Sequence, residues 1–263
     1  MTRIVHLSDL HFGAEDPELL EPLRKAVIQQ EPDLVVVSGD LAQRGTRREF
    51  ALAQAWLDRL PKPQLCVPGN HDLPHFHPLK RLLDPYGRFK GATRTGVEPD
   101  WRDEGAVVVG INTADRLLWK RGRVTEPHIR RLSDIFADAG SRARVAVMHH
   151  PLEHAALNVD RLMHNSAGLL EQMPKMGAQI VLSGHVHVSY IGPFRNTPEV
   201  LFVQTGTSLS IRRRGESNSF TVLDLRGDTA RISVHHAGPQ GFVAAPAQNW
   251  ALRGGRWTGG EMS

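Results

Sequence analysis

The chain has 263 residues, 40% of them hydrophobic and 23% charged, with a formal net charge of +4. That length can bury a sizeable core, and that composition is ordinary for a globular protein, which excludes a low-complexity or disordered chain. A single cysteine, Cys66, excludes an intrachain disulfide, and no run reaches the roughly 20 apolar residues of a membrane helix. The N-terminal MTRIVHLSDLHFG lacks the long apolar segment of a signal peptide, so a cytoplasmic protein without a membrane partner is expected. Acidic and basic residues are interspersed, so the mild basic excess favours anionic ligands without establishing nucleic-acid binding.

In chain order, continuous β-branched or aliphatic runs recur, each ending in polar residues. RIVHLSD ends at Asp9, DLVVVSGD at Asp40, and PQLCVPGNHD at Asn70, His71 and Asp72. AVVVGIN ends at Asn112, RVAVMHH at His149 and His150, and QIVLSGHVH at His185 and His187. Continuous rather than alternating apolar character marks strands buried on both faces. Helical spacing lies between them over residues 18–30, 47–60, 129–139 and 166–176. Thr46, with Glu49 three residues later, predicts a capping box. Strand and helix therefore alternate, which points to an α/β fold. After residue 188 the texture changes to VLFVQTGTSLS, SFTVLDL and ARISVHH, strands without intervening helices, with a hairpin signal at Arg226–Asp228. Two packed sheets with helices outside are expected as a single domain over 1–238. The Gly- and Pro-rich stretch 239–263 is expected to be loop or disordered.

The 14 histidines concentrate at these strand ends. In open α/β sheets, function collects outside the carboxyl ends of strands. Asp9, His11, Asp40, Asn70, His149, His185 and His187 supply carboxylate, carboxamide and imidazole donors, a mixture that suits two borderline divalent or trivalent ions. Asp40, midway in the ligand order, is the natural bridging carboxylate, since one carboxylate can hold two ions about 3.5–4 Å apart. Gly39, Gly69 and Gly184 precede ligands at sharp turns, where a Cβ would obstruct the site. Two-residue spacing in extended chain would place His185 and His187 on one face.

DLH at 9–11, GDL at 39–41, GNHD at 69–72, HH at 149–150 and GHVH at 184–187 together resemble the calcineurin-like metallophosphoesterase family, over about residues 4–207. The compact pattern, without a large insert, is similar to its small class III cyclic-nucleotide phosphodiesterases. The resemblance implies a two-sheet β-sandwich flanked by helices in four layers, αββα. It implies one metal on Asp9, His11, Asp40 and His187, and a second on Asp40, Asn70, His149 and His185. Manganese, iron, zinc, cobalt and nickel all suit such ligands. It also implies attack on phosphorus by a metal-bridging hydroxide, with His71 as the catalytic histidine outside the ligand set.

Asp72 could orient His71 or a neighbouring backbone group, or could be a turn residue. His150 would point away from His149 if the strand continues, and reads more simply as a packed structural histidine than as one that supports a ligand or meets substrate. His6 reads as a core histidine. His75 and His77 lie beside prolines in an exposed loop. Arg212, Arg213 and Arg214 could meet a phosphate, but read more simply as a charged hairpin tip. Arg44, four residues past Asp40, lies near enough in sequence to meet a substrate phosphate. Residues 152–168, with His154, Asn158, His164 and Asn165, are expected to wall the site. The leading reading is phosphodiester hydrolysis of a small phosphoester, a cyclic nucleotide being one candidate. Phosphomonoesterase, nuclease and non-catalytic scaffold readings stay open, as does a homo-oligomer built on the strand-rich C-terminal part.

Overall fold

The computed structural model describes residues 1–153 and 163–262. One sheet contains β1 (Thr2–Leu7), β2 (Leu34–Ser38) and β3 (Gln64–Val67), all parallel. The crossovers are α1 (Leu20–Gln29) and α2 (Arg47–Leu57). The other sheet contains β4 (Asp100–Arg102), β5 (Ala106–Gly110), β6 (Ala143–Val147), β7 (Ile180–Ser183), β8 (Tyr190–Pro193) and β9 (Leu201–Gln204). Its strand order is β4-β5-β6-β7-β9-β8, parallel from β5 through β9. Two short helices, α3 (Pro78–Leu83) and α4 (Gly87–Thr93), precede β4. Two more, α5 (Glu126–Ala137) and α6 (Ser166–Gln172), follow β5 and β6. Helix α2 starts on the expected capping box: Glu49 N–H donates to Thr46 Oγ1 at 3.3 Å, and Thr46 N–H donates to Glu49 Oε2 at 2.9 Å.

Side-chain alternation sorts the apolar residues into layers. Ile4, Val36 and Leu65 of the first sheet pack against Val108, Val145 and Leu182 of the second. Their neighbours Val5, Val35 and Val37 face outward onto Leu23, Phe50 and Trp56. On the other side Val107, Ala146 and Val181 meet Ile129, Leu132, Phe136 and Leu169. The result is the four-layer αββα architecture: two mixed sheets, flanked by helices. No helix among the described residues is long and apolar enough to cross a membrane.

The expectation of a loop or disordered tail over 239–263 is corrected. Strands β10 (Ser219–Arg226) and β11 (Thr229–Gly238) are followed by β12 (Gly241–Ala244), β13 (Gln248–Arg253) and β14 (Arg256–Met262). These extend the first sheet in the order β14-β13-β11-β10-β1-β2-β3, with β12 also on β11. The glycines that suggested disorder are turn residues: Gly254 and Gly255, at φ of 55° and 74°, reverse the chain between β13 and β14. Trp250 and Trp257 then bury against the inter-sheet core. The Trp257 indole N–H donates to the Gln179 carbonyl at 2.9 Å, pinning this hairpin to the second sheet.

Trp257→Ala is therefore expected to cost about 3–5 kcal/mol and to lower the melting temperature by on the order of 10 °C. Thermal denaturation followed by circular dichroism checks this; a loss below about 2 °C would mean that the C-terminal hairpin is not part of the core.

Candidate metal centre

The parallel strands of both sheets deliver their carboxyl ends to one edge. Past β1 and β2 the chain still pairs, since Asp9 N–H donates to Gly39 O at 3.1 Å and His11 N–H to Asp40 O at 2.9 Å. Past β6 and β7, Gly184 N–H reaches His149 O at 3.2 Å. Asp9, His11, Asp40, His185 and His187 all lie at φ between 47° and 73°, in the left-handed region. They are five of the eight non-glycine residues found there among the described residues. Aspartate and histidine tolerate this region better than most residues, and each such position re-aims a side chain that would otherwise follow the strand. This corrects the extended-chain account of His185 and His187. Both are left-handed, Val186 N–H bonds Gly184 O at 2.9 Å, and the tight turn brings the two rings inward.

Each carboxylate is pinned by one oxygen and presents the other. Asp9 Oδ2 accepts from Ser8 Oγ–H at 2.6 Å and from His185 N–H at 2.9 Å. Asp9 Oδ1 is buried without a hydrogen-bond partner, 3.1 Å from His187 Nε2 and 3.6 Å from His11 Nε2. Asp40 Oδ1 accepts from His71 N–H at 2.8 Å, while Oδ2 lies 3.3 Å from His149 Nε2 and 3.6 Å from His11 Nε2. Asn70 Oδ1 is also buried and unpartnered. His149 donates through Nδ1 to Ser38 O at 2.7 Å, and His187 through Nδ1 to Arg212 O at 2.6 Å. Both therefore turn Nε2 to the centre, an arrangement that suits ligation. His11 Nε2 and His187 Nε2 stand 3.2 Å apart, as do His149 Nε2 and His185 Nδ1. Acceptor atoms packed this closely, with orphaned oxygens beside them, fit cations held between them. Two such groupings are Asp9 with His11 and His187, and Asp9 with Asp40 and His149.

The titration behaviour agrees. Burial alone would lower His149, but the Asp40 carboxylate outweighs it and raises the ring to about 9. Burial likewise opposes the charge on His187, and Asp9 reverses the shift upward. The carboxyls of Asp9 and Asp40 resist their burial and stay well below the usual range, held there by His187 and His149. The acidic centre thus draws protons onto His149 and His187, whereas at His11 burial outweighs the two carboxylates and lowers the ring. His185, by contrast, is lowered to about 3 by burial and by its neighbour His149.

All seven expected ligand residues meet at this edge. His71 stands beside them, its ring 4.9 Å from that of His11. His71 Nδ1 donates to the Gln43 carbonyl at 2.7 Å, which leaves Nε2 toward the pocket. Asp72 does not touch that ring. Its carboxylate accepts from Ala42 N–H at 2.8 Å and from Gly69 N–H at 2.9 Å, so it braces the loop that carries Asn70 and His71. Burial and the Asp40 charge push Asp72 up to about 7. His6 is a core histidine bonded through Nε2 to Ser38 Oγ at 2.8 Å, and burial lowers it to about 3.

Other positions emerge only from the fold. His150 does not point away: its ring lies 4.8 Å from that of His185, and Nδ1 meets Thr113 Oγ1 at 2.8 Å. His75 stacks on His71 at 5.2 Å and meets Trp119 edge-on at 5.6 Å. Arg212 Nη1 reaches His71 Nε2 and Gln43 Oε1, each at 3.3 Å, so the charged-tip reading of that loop is incomplete. Lys120 and Arg121, in a loop that carries no motif, line the same pocket. Of the expected wall over 152–168, His154 and Asn158 lie outside the described residues.

The calcineurin-like phosphoesterase model matches residues 2–189. The chain belongs to the calcineurin-like phosphoesterase family. Among its relatives is a protein of Synechococcus sp. named "Probable cyclic nucleotide phosphodiesterase", 26% identical over 203 residues, covering 72% of this chain and 74% of that one. A glycerophosphodiester phosphodiesterase of Enterobacter lignolyticus is 27% identical over 207 residues, 70% of each chain. In architecture the chain is similar to a purple acid phosphatase from yellow lupin seeds, with a TM-score of 0.68 at 14% identity, over 92% of this chain and 52% of that one. That likeness speaks for the fold alone.

In this family member a Cβ at Gly69 would overlap the Asp40 carboxylate, and one at Gly184 would overlap Ser8 Oγ beside Asp9. Gly69→Ala is expected to weaken metal binding by about 10–100-fold while the far-ultraviolet circular dichroism is kept. Metal content after dialysis against a graded chelator measures this; retention equal to the parent would show that the turn has room the geometry denies.

Proposed function

We propose that this protein is a dinuclear metal-dependent phosphodiesterase. The observation that carries the proposal is the crowding of buried donor atoms at one sheet edge, with Asp40 Oδ2 lying between His11 Nε2 and His149 Nε2 at 3.6 and 3.3 Å. Asp9, His11, Asp40 and His187 would hold one ion; Asp40, Asn70, His149 and His185 would hold the other. Manganese, iron, zinc, cobalt or nickel suits these imidazole and carboxylate donors. Such a pair supplies a water of pKa near 7 and offsets charge on the phosphoryl oxygens.

The chain's own residues orient the reaction. His71 is fixed through Nδ1 on Gln43 O, so Nε2 is the nitrogen that meets the leaving oxygen and exchanges a proton with it. The His71 N–H bond to Asp40 Oδ1 ties that ring to the carboxylate that both ions would share, and Asp72 holds the turn between them. Diester preference is supported by the names of the relatives, a cyclic nucleotide and a glycerophosphodiester being the two substrate types those names carry.

Metal-stripped protein refilled with manganese is expected to hydrolyse bis(p-nitrophenyl) phosphate in preference to p-nitrophenyl phosphate. Preference for the monoester would make the protein a phosphatase, and activity unaffected by stripping would remove the metal from the account. His71→Ala is expected to lower kcat by about 10²–10⁴-fold at unchanged metal content; loss of metal in that variant would instead make His71 a ligand.

A further inference from the structure

Beyond the expected ligands, the pocket of about 420 Å³ over the metal centre is lined by Lys120, Arg121, Arg212 and Arg214. These four cations come from two segments far apart in sequence, one between β5 and α5 and one between β9 and β10. Of the basic side chains in the neighbouring segments, Lys80 pairs with Asp84 at 2.7 Å and Arg123 with Asp115 at 3.3 Å, while Arg81 and Arg116 bond backbone carbonyls. None of the four pocket cations has an ion-pair partner among the described residues. The Arg212 guanidinium meets Gln43 Oε1 and His71 Nε2, neither of them a carboxylate oxygen.

The loop that carries Arg212 and Arg214 is anchored at its base. Arg212 O accepts from His187 Nδ1–H at 2.6 Å, Arg212 N–H donates to Ser210 Oγ at 3.1 Å, and Asn218 Nδ2 donates to Ser210 O at 2.9 Å. Ser210 and Asn218 are fully buried. The backbone of Arg212 is therefore held beside the metal centre, and the four cationic side chains are exposed to an incoming ligand. Like charges gathered without ion-pair partners repel one another, and such a cluster focuses the field onto an anionic ligand. Small-molecule pockets are lined mostly by apolar and aromatic side chains. Here Val186 is the one apolar lining residue among the described residues, and no phenylalanine, tyrosine or tryptophan lines the pocket with it.

We propose that Lys120, Arg121, Arg212 and Arg214 form an anion subsite for a second phosphoryl group of the substrate, which is then a phosphodiester bearing a further phosphate. This rests on the phosphodiesterase reading of the adjoining centre. A diester with one negative charge is served by the metal-holding residues and leaves the four cations unmatched. Arginine meets phosphate oxygens with paired, charge-assisted hydrogen bonds, and lysine meets them as a point charge. A nucleotide, cyclic or open, that carries an additional phosphate belongs to this class.

The test compares the p-nitrophenyl ester of thymidine 5′-phosphate with the same ester bearing a 3′-phosphate. In the manganese-loaded parent the second phosphate is expected to lower KM by about tenfold or more with kcat little affected. In the variant Lys120→Gln/Arg121→Gln/Arg214→Gln the ratio of the two KM values should collapse toward one. Equal KM values in the parent, or a ratio the variant preserves, would overturn the subsite while leaving the phosphodiesterase reading intact. Hydrolysis of neither ester would sink that reading instead. The subsite would then be decided by calorimetry of inorganic pyrophosphate on metal-stripped protein. Affinity about tenfold weaker in the variant supports it, and equal affinity overturns it.

Discussion

Buried acceptor atoms crowded at the joined edges of two sheets are the constraint on which this structure turns. Asp9 Oδ1, Asp40 Oδ2 and the inward nitrogens of His11, His149 and His187 lie within 3.1–3.6 Å of their neighbours, on side chains that are at most 5% exposed. Facing lone pairs and carboxylates in a region of low dielectric are costly unless positive charge stands among them. Protons drawn onto His149 and His187 supply some of it, and the geometry of the remaining orphans, Asn70 Oδ1 among them, fits metal cations better. Binding there would then be coupled to the stability of the fold, since ligands from five strand ends meet only when both sheets are packed.

The fold exists to hold those strand ends together. Continuous apolar strands leave no face for water, so helices cover both outer surfaces and the sheets cover one another. Parallel strands then end side by side, and left-handed residues at Asp9, His11, Asp40, His185 and His187 bend the side chains over the edge. Backbone of this kind costs of order 1–3 kcal/mol per residue and persists where the surroundings over-determine it. Here the surroundings are the backbone bonds between neighbouring strand-end loops and the close approach of Gly69 and Gly184 to the two carboxylates.

Much of this was legible in the sequence, because each ligand follows an uninterrupted apolar run and their order along the chain is not accidental. The fold class followed from the same runs together with the helical spacing between them. The conformation of the ligands was not legible: two-residue spacing at His185 and His187 reads as extended chain, while the turn depends on Gly184 lying against Ser8 and Asp9, about 175 residues away. The direction of His150, though not its packed character, was hidden for the same reason, since it depends on where β6 stops and on Thr113 beyond a neighbouring strand. The hairpin of β13 and β14 was hidden by its glycines, whose composition suggests disorder unless Trp250 and Trp257 are known to have a core to enter. Arg212 gave no local sign that it meets His71, a contact 141 residues apart in sequence. Lys120 and Arg121 belong to no motif. Long-range placement, not residue type, decided each of these.

The most direct test is anomalous diffraction from crystals of the manganese-loaded protein. The account predicts two peaks about 3.5–4 Å apart, one against Asp9, His11 and His187, the other against Asn70, His149 and His185, with Asp40 between them. A single peak, or two that do not share Asp40, would contradict it.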